Sequence, residues 1–232
     1  MSSRRRVVAI DGPAGAGKST AARRLAEALG YSLIDTGALY RAVALVAKER
    51  GVDWADGDAL GALARSLDLR FGVPTAGQRP PLLLDGVDRG GDIRSQDISM
   101  GASRVSAHPP VREALLGVQR RMGEGGGVVL EGRDIGTVVF PNAEVKVFLT
   151  ASPQARAERR CAELARRGEP ADVARVAQEI AERDERDANR PVAPLRPAED
   201  AILLDSTELD LDGVVRALIR IVNDTTAPTD PR

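Results

Sequence analysis

The chain has 232 residues, 43% hydrophobic and 29% charged, a composition that suits a soluble globular protein long enough for one α/β domain with an insertion. A formal net charge of −1 supplies no global basic field to recruit nucleic acid or anionic membrane, and a single cysteine, Cys161, excludes a disulfide framework and a cysteine-based zinc site. No apolar run reaches the roughly 18 residues of a membrane span, and MSSRRRVVAI holds too short an apolar stretch for a signal sequence, so a cytoplasmic protein is expected.

Arg4, Arg5 and Arg6 read as a solvated lead-in to the first strand, VVAID at 7–11. A glycine-rich stretch, DGPAGAGKST, leads from it into an amphipathic helix at 18–29 that carries Ala22, Leu25, Ala26 and Leu29 on one stripe and stops at Gly30. SLID at 32–35 is the second strand, followed by a helix over 38–50 that Gly51 ends. The rhythm then breaks: residues 67–94 hold short strand-like pieces, a Pro/Gly loop around 74–81 and an Asp85-Gly86 turn, the marks of a small antiparallel insertion. Two amphipathic segments follow at about 95–107 and 109–122, where His108 reads as a capping or surface residue ahead of Pro109.

GEGGG returns the chain to VVLE at 128–131 and VKVFL at 145–149. Ser152-Pro153 caps a helix to about Arg166 in which Cys161 packs as a small hydrophobe, and a second helix covers about 172–188. Pro191, Pro194 and Pro197 force an extended passage into AILLD at 201–205, a last helix lies near 211–223, and NDTTAPTDPR reads as a disordered tail. Five apolar strands alternating with helices predict a mostly parallel five-stranded sheet covered on both faces.

Gly12 to Ser19 fits G-x-x-x-x-G-K-[ST], set between a strand and a helix as a phosphate-binding loop requires. The small residues Gly12, Pro13, Ala14, Gly15, Ala16 and Gly17, with Thr20 beyond, let backbone N–H groups converge on a polyphosphate at the positive end of a helix. Lys18 can reach the β and γ phosphates, and the Ser19 hydroxyl suits the Mg²⁺ that bridges them. ATP with Mg²⁺ is therefore the expected donor, and Glu131 and Asp35 each read either as a carboxylate that organises the metal through water or as one that merely caps the loop.

None of Asn142, Asn189 or Asn223 begins the N-K-x-D that a GTP switch uses to read its base, which leaves small-molecule kinases as the best fit. Such an enzyme must bring two anions together and keep water out, a task for arginines and a closing lid. Arg41 follows the end of SLID, and Arg133 and Asp134 follow the end of VVLE, on the sheet edge where open α/β folds bind ligands. In ERDERDANR, Arg183, Arg186, Asp187 and Arg190 fall within about 100° of one helix face. Arg156, Arg159 and Arg160 are weaker candidates, Arg159 for the adenine or triphosphate with a solvent-facing role as its alternative, and Arg94 is a candidate within the insertion, with structural support of the insertion as its alternative.

GPAGAGKS, DTGALYR, IRSQD, VREAL, EGRDIGTVVFPNAEVKVFL, ERDERDANR and AILLDST, in this order from about residue 7 to about 222, resemble the bacterial cytidylate kinases. The resemblance implies a P-loop nucleoside monophosphate kinase fold: core segments 1–66, 123–154 and 191–232, a monophosphate-binding insertion at 67–122 and a short helical lid at 155–190. It implies that Ser103, Arg112 and Asp134 read cytosine, that Asp187 reads the ribose hydroxyls, and that Thr36, Arg41, Arg133, Arg183 and Arg190 hold the monophosphate or its sugar. Lys18, Arg133, Arg183 and Arg186 would then serve catalysis in a monomer that phosphorylates CMP and dCMP and takes no nucleic acid or membrane partner. Another P-loop metabolite kinase and a nucleotide-sensing module without turnover are the alternatives; a sensor has no need of so many anion ligands beside Lys18.

Overall fold

The computed structural model describes residues 5–75, 78–166 and 168–225. Arg4, the middle of the Pro/Gly loop and the tail from residue 226 lie outside the described residues, whereas Asn223 and Asp224 belong to the last helix rather than to a tail.

In chain order, β1 (Val7–Asp11), α1 (Lys18–Leu29), β2 (Ser32–Asp35) and α2 (Thr36–Glu49) build the first half of the core. There follow α3 (Gly57–Ser66), β3 (Leu69–Phe71), β4 (Leu82–Leu84), β5 (Val87–Asp88), α4 (Gln96–Val105) and α5 (Pro109–Gly123). The chain closes with β6 (Val128–Gly132), β7 (Val145–Thr150), α6 (Pro153–Arg166), α7 (Val173–Asn189), β8 (Ile202–Asp205) and α8 (Leu211–Asp224). Helix α3 has no counterpart in the sequence reading. Its signal was Asp56, whose carboxylate accepts the Ala59 N–H at 3.0 Å as an N-cap, but Gly57 and Gly61 mask the helical pattern. Gly61 is there because α5 crosses closely: a Cβ would lie 2.4 Å from that of Pro110.

The expected parallel sheet forms in the order β2-β6-β1-β7-β8, and β3-β4-β5 makes the small antiparallel sheet. Asp85 and Gly86 both take positive φ (49° and 82°), the geometry of the two-residue hairpin turn read from the sequence. Apolar strand residues alternate between two layers. Val8, Ile10, Val129 and Val147 pack with α1 and α8, while Ala9, Ile34 and Leu130 face the turn at 135–139. A further core joins α2 to α3, α4 and α5, so the insertion shares its packing with a helix of the main domain.

Register fixes what meets at the carboxyl edge of the sheet. Asp11 pairs with Gly132 and Asp35 with Glu131, so the chain leaves β1, β2 and β6 side by side into DGPAGAGKST, TGALYR and RDIG. Gly12 makes the first exit possible: φ is 148°, and a Cβ would sit 2.0 Å from the Leu149 carbonyl oxygen.

Two local expectations need correction. His108 holds the N-cap position of α5 without capping through its side chain; Nε2 instead lies 2.9 Å from the Trp54 carbonyl oxygen. After α7 the chain does not run extended but folds back, with the Leu195 N–H on the Asp187 carbonyl at 2.8 Å and Ala193 at φ 52°. Prolines exclude helix here, and the hydrogen bonds back to α7 decide the direction. Cys161 packs, as expected, beside the apolar seam of α6 and α7. Among the described residues, no helix is long and apolar enough to cross a membrane.

Candidate active site

Between β1 and α1, Gly12, Pro13, Ala14, Gly15, Ala16 and Gly17 wrap as a loop, and Lys18, Ser19 and Thr20 form the first turn of the helix. Lys18 is buried, and its Nζ donates to the Pro13 carbonyl at 2.6 Å. Burial, then the positive charges of Arg133 and Arg183, push its pKa well below the usual lysine value. Glu131 and Asp11 offset only part of this, and a polyphosphate would add negative charge against the remaining repulsion.

Ser19 Oγ donates to Glu131 Oε2 at 2.8 Å, and the other carboxylate oxygen of Glu131 is buried without a partner. Burial and the neighbouring Asp35 raise the Glu131 pKa to about 7. Burial alone would raise Asp35 as well, but Arg41, Arg79 and Arg94 outweigh it and lower the pKa. Asp35 accepts the Ala38 N–H at 3.1 Å as the N-cap of α2 and takes Arg41 Nη2 at 2.6 Å. Thr36 Oγ1 donates to the Glu131 carbonyl at 2.7 Å, which ties the starts of the two exits together.

Past β6, Arg133 Nε donates to Asp187 Oδ2 at 3.0 Å. Arg183 lies 3.9 Å from the same oxygen, and burial followed by repulsion from Arg133 lowers its pKa to about 10. It is a cation at neutral pH, held near other cations. Deeper still, Asp134 and Arg112 are both 7% exposed and joined by an Arg112 Nη2–Asp134 Oδ2 hydrogen bond, with Arg190 Nη2 3.7 Å from the other oxygen. The Arg112 guanidinium also stacks 5.5 Å from the Tyr40 ring centre. Ser103 is buried in α4 with no partner for its hydroxyl.

The structure thus brings Lys18, Ser19, Asp35, Arg41, Glu131, Arg133, Arg183 and Asp187 into one electrostatic network at the carboxyl edge of the sheet. Ser103, Arg112, Asp134 and Arg190 are buried on the insertion side. Two predicted residues stand apart. Arg186 is exposed and donates to the Glu182 carbonyl of its own helix at 3.2 Å, because it occupies the outer limit of the predicted arc. Arg159 donates to Ser206 Oγ at 2.9 Å and to the Leu209 carbonyl at 3.3 Å, joining α6 to the segment after β8.

Other participants carried no local signal. Asp11, last in β1, accepts the Ile135 and Gly136 N–H groups, each at 2.8 Å, and so holds the π-helical turn that directs Arg133 and Asp134. Burial raises its pKa to about 6 despite those bonds. Tyr40 and Asp184 likewise join the site only through long-range packing, and Arg156, a weaker candidate in the sequence, reaches the loop at Ala14.

The raised pKa of Glu131 has a testable sign. Folded Glu131 holds its proton up to about 7 and the free group only to 4.5, so its contribution to stability is full below 4.5 and is lost as pH rises toward 7. Glu131→Gln keeps the neutral form at every pH. Its melting temperature relative to wild type should therefore climb between pH 4.5 and 7 and level off above; a difference independent of pH would contradict the assignment.

Comparison with known proteins gives one consistent family. A model described as cytidylate kinase matches residues 8–224. A cytidylate kinase of Pseudomonas aeruginosa (strain UCBPP-PA14) is 49% identical over 214 residues, spanning 92% of this chain and 93% of its own. That of Vibrio parahaemolyticus is 49% identical over 222 residues (96% and 97%), and that of Syntrophotalea carbinolica 48% over 228 residues (98% and 96%). Among solved structures, a shikimate kinase from Acinetobacter baumannii is 15% identical with a TM-score of 0.47 over 96% of both chains, which adds nothing to the topology already described.

Proposed function

The chain belongs to the cytidylate kinase family, and from that premise we propose how its own residues divide the transfer of the γ-phosphoryl group of ATP to CMP. The reading extends to dCMP as a second acceptor and to action as a monomer in the cytoplasm. One observation carries the assignment of residues. Of the seven buried side-chain polar atoms without a hydrogen-bond partner among the described residues, five belong to Arg41, Ser103, Glu131, Arg183 and Arg190. Buried orphan donors and acceptors are costly, and their concentration in one region is what a polar ligand site looks like before its ligand arrives.

The phosphate loop and Lys18 hold the triphosphate of ATP, Arg41, Arg133, Arg183 and Arg190 hold the monophosphate of CMP, and Arg133 and Arg183 also reach the transferring phosphoryl group between the two. Asp134, with Arg112 and Ser103, reads cytosine: a carboxylate accepts from its 4-amino group, whereas the 4-oxo group of uracil has no proton to give. Asp187, kept ionised by Arg133, Arg183 and Arg190 against the effect of its burial, accepts from the ribose hydroxyls. The segment 67–122 carries the acceptor side, and 155–190 serves as the lid.

An all-oxygen donor set of Ser19, Asp35 and Glu131, with one Glu131 oxygen unpartnered, fits Mg²⁺ rather than a softer metal. Bound there with ATP, the ion would neutralise phosphate charge. The acceptor phosphate is already ionised, so no general base is needed. What remains for the protein is to line up donor and acceptor and to surround the transferring group with fixed cations.

The direct test is ADP release from MgATP with CMP, dCMP, UMP and AMP supplied in turn. CMP and dCMP should turn over fastest. Equal or faster turnover with UMP would remove the base-reading role from Asp134.

A further inference from the structure

The sequence marks Arg156 only as a weaker candidate and Asp184 as an ordinary helix charge, yet both reach the phosphate loop. Arg156 is 8% exposed. Its Nη1 donates to the Ala14 carbonyl at 3.0 Å and also to Asp184 Oδ2, while Nε donates to the Ala151 carbonyl at 3.1 Å. The remaining oxygen of Asp184 accepts the Ala14 N–H at 3.2 Å. One peptide segment of the loop is therefore gripped from both sides, its N–H by a residue of α7 and its carbonyl by a residue of α6. Gly15 leaves space for this: a Cβ would come within 3.0 Å of the Arg156 carbonyl oxygen and 3.1 Å of its Cβ.

α6 and α7 are packed against each other through Ala157, Leu164, Val176 and Ile180 and so form one hairpin. Arg159 ties it to Ser206 and Leu209 and Asp187 ties it to Arg133, but the contacts that reach the phosphate loop are those of Arg156 and Asp184, and Asp184 lies beside Arg183 in sequence. A shift of about 1 Å in a helix is enough to take a guanidinium out of register with a reacting phosphate.

We propose that Asp184 and Arg156 form a bracket that registers the α6–α7 hairpin on the phosphate loop, making Asp184 a positioning residue that acts through Arg183. The inference rests on the reading of Arg183 as a ligand of the transferring phosphoryl group.

Asp184→Asn is the sharp probe. An amide oxygen can still accept the Ala14 N–H, but the amide nitrogen then meets the Arg156 guanidinium donor to donor, and the bracket opens. In steady-state kinetics the substitution should lower kcat about tenfold while leaving the KM for CMP within about twofold. In an Arg183→Ala background the same substitution should cost less than about twofold in kcat, since the group it positions is gone. A merely structural role would reduce kcat equally in both backgrounds, and that result, or no loss at all in the single variant, overturns the proposal. An Arg183→Ala enzyme with wild-type kcat removes the reading of Arg183 and the bracket's purpose with it; a loss in Arg183→Ala with additive Asp184→Asn removes the bracket alone. If Asp184→Asn does not fold, Arg156→Lys, whose single ammonium cannot span Asp184 and the Ala14 and Ala151 carbonyls together, takes its place in the same cycle with the same outcomes.

Discussion

Replacement of Arg183 by alanine should reduce kcat about a hundredfold while leaving ATP affinity within about threefold of wild type. The guanidinium is buried among like charges, with Arg133 the strongest cause after burial of its lowered pKa and Arg41 also opposing it. Asp187 and Asp184 offset part of that repulsion, and the rest is relieved as further negative charge gathers on the cluster. Two phosphate chains meeting in line provide that charge, most of all in the transition state. Lys18 and the loop amides still hold the triphosphate after the substitution, so binding of ATP should change little. Turnover with saturating CMP and calorimetric titration with ATP check the two halves separately. An unchanged kcat would exclude Arg183 from the reacting centre.

Asp134→Ala should act on stability and specificity at once. Asp134 and Arg112 are each 7% exposed, and removal of the carboxylate leaves the Arg112 guanidinium buried without its ion-pair partner. Breaking one side of a buried pair costs about 3–5 kcal/mol, which in a chain of this size lowers the melting temperature by about 10 °C. Well below that temperature, kcat/KM for CMP should fall by about a hundredfold or more, and that for UMP by much less. Asp134→Asn separates the two effects. Its amide keeps the volume but offers a donor where the carboxylate offers only acceptors, so the ratio of UMP to CMP activity should rise even though the fold is retained. Equal losses for both bases would show that Asp134 does not read the base.

What the sequence revealed depended on how local the controlling physics was. The phosphate loop was legible because its requirements are contiguous: small residues, one lysine and one hydroxyl between a strand and a helix. Arg41, Arg133 and Asp134 were legible because strand ends predict where a side chain emerges, and parallel pairing brings those ends together. Ser103 and Arg112 looked ordinary in isolation and entered only through family resemblance; their burial depends on packing of α4 and α5 against α2. Arg186 shared the helical arc of Arg183 but turned outward, since an arc identifies a face without fixing where burial stops. Asp11 and Asp184 were illegible, and Arg156 only weakly legible, for the opposite reason: each acts on backbone groups far away in sequence, and no periodicity records such a bond.

The ion pairs of the free protein have one more consequence. Arg41 rests on Asp35, Arg133 on Asp187, and Arg112 on Asp134. If these arginines bind phosphate and base as proposed, each already rests on an internal carboxylate, and capture of CMP would be an exchange of counter-ions rather than a gain of them. Arg41 illustrates the economy of the swap: if it turns to the nucleotide phosphate, Asp35 loses its arginine just when the Ser19 and Glu131 oxygens beside it need a second acid to attract a divalent cation. On that assignment, acceptor arrival and metal affinity would be linked through a single guanidinium.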